Sequence, residues 1–174
     1  MSNCSSEANS DFNSSDFNSS DFDGFVRKMT EFDLQPVMAI ETEAYNFPWT
    51  TGIMSDCLRV GYHCFVYEVD GEIRGYIIFS TVLDEVHLLN VCIAPFYQNK
   101  GYGYAFLIWL MNYIRNTGDK KYTSKTLYLE VRASNHTAIH LYENMGFNEL
   151  GVRPDYYPAK NGKEDAQLFA YELY

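Results

Sequence analysis

The stretch CFVYEVDGEIRGYIIFSTVL, residues 64–83, constrains the fold more than any other part of the chain. Two runs of β-branched and aromatic residues flank Asp70-Gly71, a dipeptide suited to a two-residue hairpin turn whose central residues both need positive φ. EVHLLNVCIAP (85–95) reads as a third strand, GYAFLIWLMNYIRN (103–116) as a long apolar-rich helix, and TLYLEVR (126–132) as another strand. A further helix runs from an Asn135 cap to Met145, where Gly146 supplies the stop. Residues 148–156 and 166–173 can pair as a terminal hairpin. Upstream, Asp33 is a plausible N-cap for a helix with Leu34, Val37, Met38 and Ala44 on one stripe, and a second short helix starts near Thr50, after the break at Pro48. The expected order is ααβββαβαββ, an α/β fold with a mixed, mostly antiparallel sheet flanked by helices.

At 174 residues the chain suits one domain with a full core. Its first 24 residues read differently. NSDFNSSDFNSSDFDG (9–24) repeats at a period of five with Phe12, Phe17 and Phe22 as its large apolar residues, a spacing that suits neither a helix nor a strand face. Residues 1–28 are therefore expected to be a disordered acidic tail and residues 29–174 the folded domain. Met29 is an alternative start that would yield the domain alone. The net charge is −10, of which residues 25–174 contribute −5, with 13 basic against 18 acidic residues. Acidity throughout argues against nucleic acid and favours a cationic peptide or amine as partner. With no apolar run of 18 residues and no basic, apolar N-terminal leader, a cytoplasmic protein without a membrane partner is predicted. Cys4, Cys57, Cys64 and Cys92 lack metal-ligand spacing, so no metal is expected and reduced thiols are.

PFYQNKGYGYAFL (95–107) is a turn between a strand and a helix, with Gly101 and Gly103 at the helix start. Backbone N–H groups at a helix N-terminus gather at a positive dipole end and can hold an anion such as phosphate. The chain has no P-loop pattern, and Phe106 stands where a dinucleotide fingerprint needs its third glycine. On the two glycines alone, a plain tight turn with a helix start is the better reading of the segment.

Gln98-Asn99-Lys100-Gly101-Tyr102-Gly103 resembles the Q/R-x-x-G-x-G/A segment of the GNAT acyltransferases, which wraps the pyrophosphate of acetyl-CoA. FPW (47–49), LDE (83–85), LEVRASN (129–135), AIHLYENMGFNE (138–149), YYP (156–158) and EDA (164–166) extend the resemblance to the bacterial ribosomal-protein-alanine N-acetyltransferases of the RimI type. It covers roughly residue 30 to the C-terminus. The tail and the long link TGDKKYTSK (117–125) depart from the family pattern. The resemblance implies a GNAT fold with acetyl-CoA as cosubstrate. Cofactor contacts would come from the Val91, Cys92 and Ile93 backbone, from Asn99, Lys100, Gly101, Tyr102, Gly103 and Tyr104, and from Asn135. It further implies Glu130 as general base, Tyr142 as general acid, and the N-terminal alanine of ribosomal protein S18 as acceptor. Phe47, Trp49, Glu85, Tyr156 and Tyr157 are the candidates to line a peptide slot, where acids would meet a basic N-terminal segment.

The residues bear this chemistry out only in part. Strand alternation sets Glu130 with Tyr128 and Arg132, opposite Leu127, Leu129 and Val131, so Glu130 projects away from the apolar face. It could accept a proton from an amine, or be a surface acid paired with Arg132. Tyr142 has Ala138, Ile139 and Met145 at helical spacing; its phenol could protonate a departing thiolate, or simply pack in the core. An α-amine with pKa near 7.8 is roughly a tenth neutral at pH 7, against about 0.04% for a lysine, a difference of about 3.5 kcal/mol. One carboxylate is an adequate base for the former. A lysine or small-amine acceptor, and a non-catalytic acyl-CoA-binding module, remain the alternatives.

Overall fold

The computed structural model describes residues 24–117 and 125–173. Its elements are β1 (Phe25–Lys28), a 3-10 turn (Glu31–Asp33), α1 (Leu34–Ala44), α2 (Thr51–Arg59), β2 (His63–Val69), β3 (Glu72–Val82), β4 (Glu85–Ile93), α3 (Tyr102–Thr117), β5 (Lys125–Arg132), α4 (His136–Asn144), β6 (Asn148–Ala159) and β7 (Gly162–Leu173). The strands form one sheet in the order β1-β2-β3-β4-β5-β7-β6. Of its neighbouring pairs, β4 and β5 run parallel and the rest antiparallel. The parallel pair is joined through α3, the helical crossover that such a pair requires. At the β2–β3 turn Asp70 and Gly71 have φ of 52° and 78°, as the dipeptide predicted.

Alternation along the strands gives the sheet two apolar faces. On one, Phe65, Ile77, Val86, Leu127 and Leu129 pack with Phe106, Leu107 and Leu110 of α3 and with Tyr142 of α4. On the other, Val37 and Ile40 of α1 and Met54 and Cys57 of α2 pack on Cys64, Val66, Tyr76, Ile78 and Cys92. That second cluster reaches no further across the sheet than β4, so Tyr128, Glu130 and Arg132 of β5 lie beyond it, half-buried. Cys57, Cys64 and Cys92 are free, buried thiols. The end of α4 follows a capping pattern: the Phe147 N–H donates to the Tyr142 carbonyl at 3.0 Å and the Gly146 N–H to the Glu143 carbonyl at 3.0 Å.

Two expectations need correction. A strand, β1, precedes the predicted order, formed by residues 25–28 that sequence patterning groups with the tail; it pairs with β2 from Phe25/Glu68 to Lys28/Phe65. Asp33 stands at the N-cap position of α1, as expected, but its side chain makes no cap hydrogen bond. Its carboxylate turns back to accept from the Thr30 N–H and hydroxyl at 2.8 and 2.9 Å and from both Arg27 terminal nitrogens at 2.8 Å. Arg27 also donates to Glu68 at 2.7 Å, so this cluster ties β1 to β2 and to the start of α1. The tail expectation for residues 1–23 and the long-link expectation for 118–124 lie outside the described residues. Among the described residues no helix is long and apolar enough to cross a membrane.

The Arg27 cluster yields a stability prediction. Hydrogen bonds from Arg27 hold the Asp33 carboxyl down at about 2, against the opposing effect of burial. A depressed carboxylate stabilises the fold above its unfolded value, so this contribution is complete above roughly pH 5 and disappears as pH falls toward 2. Removing residues 1–23 should leave thermal stability nearly unchanged, whereas removing 1–28 should cost about 1–3 kcal/mol at neutral pH. Thermal melts at pH 7 and pH 2.5 check this, with the penalty shrinking at the lower pH.

Candidate active site

The sheet opens between β4 and β5. Their ladder runs from Glu85/Thr126 to Leu88/Leu129 and stops there. The cause lies on the other side of β4, where Ile78 pairs with Asn90 but Phe79 with Leu88, so Leu89 is an extra residue that bends the strand. Past the bulge, β4 residues 89–93 face a gap. Among them Val91 turns its carbonyl into the gap, where it accepts the Tyr45 hydroxyl at 3.0 Å. Tyr45 arrives from the end of α1, while Tyr142 arrives from α4 on the opposite face of the sheet. Tyr142 is near enough to be felt at Tyr45: burial raises Tyr45 first, with Cys92 and Tyr142 adding to it. Burial, then Tyr157, raises Tyr142 in turn, so its hydroxyl keeps its proton.

The end of β4 leads into the loop singled out in the sequence. The Gln98 side-chain amide donates to the Ile93 carbonyl at 2.9 Å and pins the turn. Asn99 and Gly101 then take φ of 58° and 84°, the left-handed region that glycine enters without strain, and α3 opens at Tyr102. Asn99, Lys100, Gly101, Tyr102, Gly103 and Tyr104 thus follow one another around a helix start whose first-turn N–H groups have no intrahelical acceptor. A Cβ on Gly103 would meet only the end of the Leu141 side chain, at 3.4 Å. The Lys100 ammonium lies over the Phe96 ring at 4.4 Å. Asn135 accepts the Ala138 N–H at 3.2 Å as the cap of α4, which leaves a ligand its amide nitrogen. An unpaired strand edge running into an N–H-lined turn suits a ligand with a peptide-like arm and an anionic group.

Glu130 stands on β5 immediately past the point where the strands part. Arg153 of β6 donates to its carboxylate at 3.2 Å, and the Tyr157 hydroxyl donates to its backbone oxygen at 3.2 Å. Burial first, and Glu130 second, push the Tyr157 phenol up to about 12. Tyr157 thus touches the Glu130 backbone and is felt at the Tyr142 hydroxyl. Tyr156 meets Tyr157 edge-on at 4.8 Å. Arg132 lies 4.5 Å from the Tyr157 ring and 5.4 Å from the Phe47 ring, and donates to the Pro158 carbonyl at 2.7 Å, joining the α1–α2 loop to the β6–β7 hairpin. Trp49 is held through its N–H, which donates to Glu41 at 2.6 Å.

Phe47, Tyr156, Tyr157 and Glu130 are thus brought to one wall. Glu85 is not among them: it sits at the closed end of the β4–β5 ladder, bonded to His87 at 3.0 Å. Nor is the wall simply acidic, since Arg132 and Arg153 line it. Sequence reasoning missed Tyr45, Arg153 and Glu41. Glu41 could have been found, because it falls on the α1 stripe with Val37 and Ala44, where an acid must be paired to be buried. Among the described residues no three His, Cys, Asp or Glu side chains stand close enough to hold a metal.

Comparison with known proteins agrees with this geometry. The acetyltransferase (GNAT) family matches residues 34–147. The [ribosomal protein bS18]-alanine N-acetyltransferase of Escherichia coli K12 is 39% identical over 141 residues, covering 81% of this chain and 92% of the relative. The crystal structure of the Escherichia coli ribosomal-protein-S18-alanine N-acetyltransferase superposes with a TM-score of 0.77 at 36% identity, covering 86% of this chain and 94% of that one. Arabidopsis thaliana NAA60, solved in complex with acetyl-CoA, shares the fold at 19% identity with a TM-score of 0.74, covering 86% of this chain and 98% of its own. A parted seam between two parallel strands, an N–H-lined turn at its mouth and a family match that spans both mark the chain as a member of the GNAT acetyltransferase family.

Proposed function

We propose that the protein transfers the acetyl group of acetyl-CoA to the α-amine of a protein N-terminus, with the N-terminal alanine of ribosomal protein S18 as acceptor. The acceptor rests on the names of the relatives. One observation supports the mechanism: Glu130 stands where β4 and β5 part, the buried Tyr142 packs against the sheet from the other face, and the Tyr157 hydroxyl is bonded to the Glu130 backbone. The acceptor's ammonium gives a proton to Glu130, directly or through water. The neutral amine then bonds to the thioester carbonyl carbon, the carbon–sulfur bond breaks, Tyr142 protonates the departing thiolate, and the proton that the nitrogen sheds in becoming an amide returns to the Tyr142 phenolate. Its raised pKa does not disqualify Tyr142. The buried thiols Cys64 and Cys92 are themselves pushed up to about 12, chiefly by burial, so a thiolate leaving in this interior also takes a proton readily. The backbone of Val91, Cys92 and Ile93 would hold the pantetheine arm as an added strand, and the turn from Asn99 to Tyr104 the pyrophosphate.

Acetyl-CoA-dependent thiol release tests this, using a peptide that begins Ala-Arg-Tyr beside the same peptide blocked at its α-amine and carrying an internal lysine. Release with the free N-terminus alone is the expected result. Release with the blocked peptide alone would move the acceptor to lysine and defeat the proposal.

A further inference from the structure

Arg153 has no place in the scheme above, yet it holds the Glu130 carboxylate, beside a hydrogen bond from the Tyr156 phenol. The sheet register explains how it gets there. Arg153 of β6 and Arg132 of β5 both lie opposite Ala166 of the intervening β7, so all three project on one face. Alanine is small enough for the guanidinium to pass over β7 and reach Glu130 at 3.2 Å. The β6–β7 ladder breaks directly after Arg153, resuming at Tyr157. This break folds Tyr156 under the guanidinium at 4.1 Å from its ring. The Arg153 side chain is 55% exposed and the Glu130 side chain 31%, so the pair forms at the rim of the wall, within reach of an incoming ligand.

A guanidinium at that point occupies the ground that a protonated amine must take to give its proton to Glu130. We propose that Arg153 is an internal stand-in for the acceptor's ammonium: the acceptor binds by displacing it from Glu130, and it returns once the amine has become an amide. This inference rests on Glu130 being the proton acceptor. The exchange keeps one cation on the carboxylate at every stage until proton transfer. The amide product is neutral and cannot compete with the guanidinium. Tyr156 gives the displaced guanidinium a surface on which to rest.

The test is calorimetric titration of the enzyme–CoA complex with the Ala-Arg-Tyr peptide and with its N-acetylated form, for wild type, Arg153→Gln, Glu130→Gln and the double variant. An exposed pair of this kind is weak, so Arg153→Gln should tighten the free-amine peptide by about two- to five-fold and leave the acetylated peptide unchanged. In the Glu130→Gln background the same substitution should change nothing, since no carboxylate remains to compete for. In steady state the gain should appear in KM rather than in kcat. Equal tightening of both peptides would mean that Arg153 merely obstructs the wall, and a fall in kcat at constant KM would mean that it holds Glu130 for the chemistry; either overturns the proposal. Full turnover by Glu130→Gln would instead defeat the assignment of the base, a failure that the binding titrations report separately.

Discussion

Glu130→Gln should lower kcat/KM for an α-amine acceptor by at least about 10-fold at pH 7 while the protein stays folded. Gln keeps the shape and the half-exposed setting of the side chain but cannot take a proton, so the reaction must use the fraction of acceptor already neutral in solution. For an α-amine with pKa near 7.8 that fraction is roughly a tenth at pH 7 and exceeds a half above pH 8. The variant should accordingly recover activity between pH 7 and pH 9 more steeply than wild type. Tyr142→Phe loses the proton donor instead, and its deficit should not be relieved at high pH, because raising the pH offers the departing thiolate no proton. Two variants of similar severity and different pH response would separate the two roles. Combined, they should cost less than the product of the single effects, since both act on one transfer.

The largest effect on stability should come from a residue with no part in the chemistry. Glu41 is 1% exposed, accepts the Trp49 N–H and the Tyr76 hydroxyl, and so joins α1 to the peptide-wall loop and to β3. Glu41→Ala removes both acceptors, leaves two buried donors and a cavity, and should cost about 3–5 kcal/mol. For a domain of this size that lowers Tm by roughly 6–20 °C. Glu41→Gln keeps an oxygen for Trp49 and should cost about a third as much. A thermal melt of both variants checks the pair. If Glu41→Ala melted with wild type, the buried carboxylate would not be holding the loop.

What the sequence disclosed depended on whether the relevant physics was local. The Asp70-Gly71 hairpin, the Asn135 cap and the alternation that sets Glu130 opposite Leu129 are consequences of neighbouring residues, and each was legible. β1 was not, because a four-residue strand beside a polar repeat owes its place to Arg27, whose partners Asp33 and Glu68 lie elsewhere in the chain. Asp33 was misread for the same reason: its side chain answers to Arg27 rather than to the helix that follows it. The gap between β4 and β5 depends on the extra residue Leu89, visible only once β3 and β4 are paired. Glu85 sat near other family motifs in the sequence, and the parallel register then carried it to the closed end of the seam. Arg153 needed even more, since its reach to Glu130 depends on the order of three strands and on alanine at 166 in the middle one.

The central claim is that the parted seam holds the thioester, with β4 as its strand-like partner and Tyr142 beside its sulfur. A crystal structure of the enzyme with CoA tests this most directly. The expected result is backbone hydrogen bonds from the pantetheine arm to residues 91–93, pyrophosphate on the turn from Asn99 to Tyr104, and the thiol within hydrogen-bonding distance of the Tyr142 hydroxyl. CoA bound with its sulfur outside the gap, or on the far side of β4 from Tyr142, would contradict it.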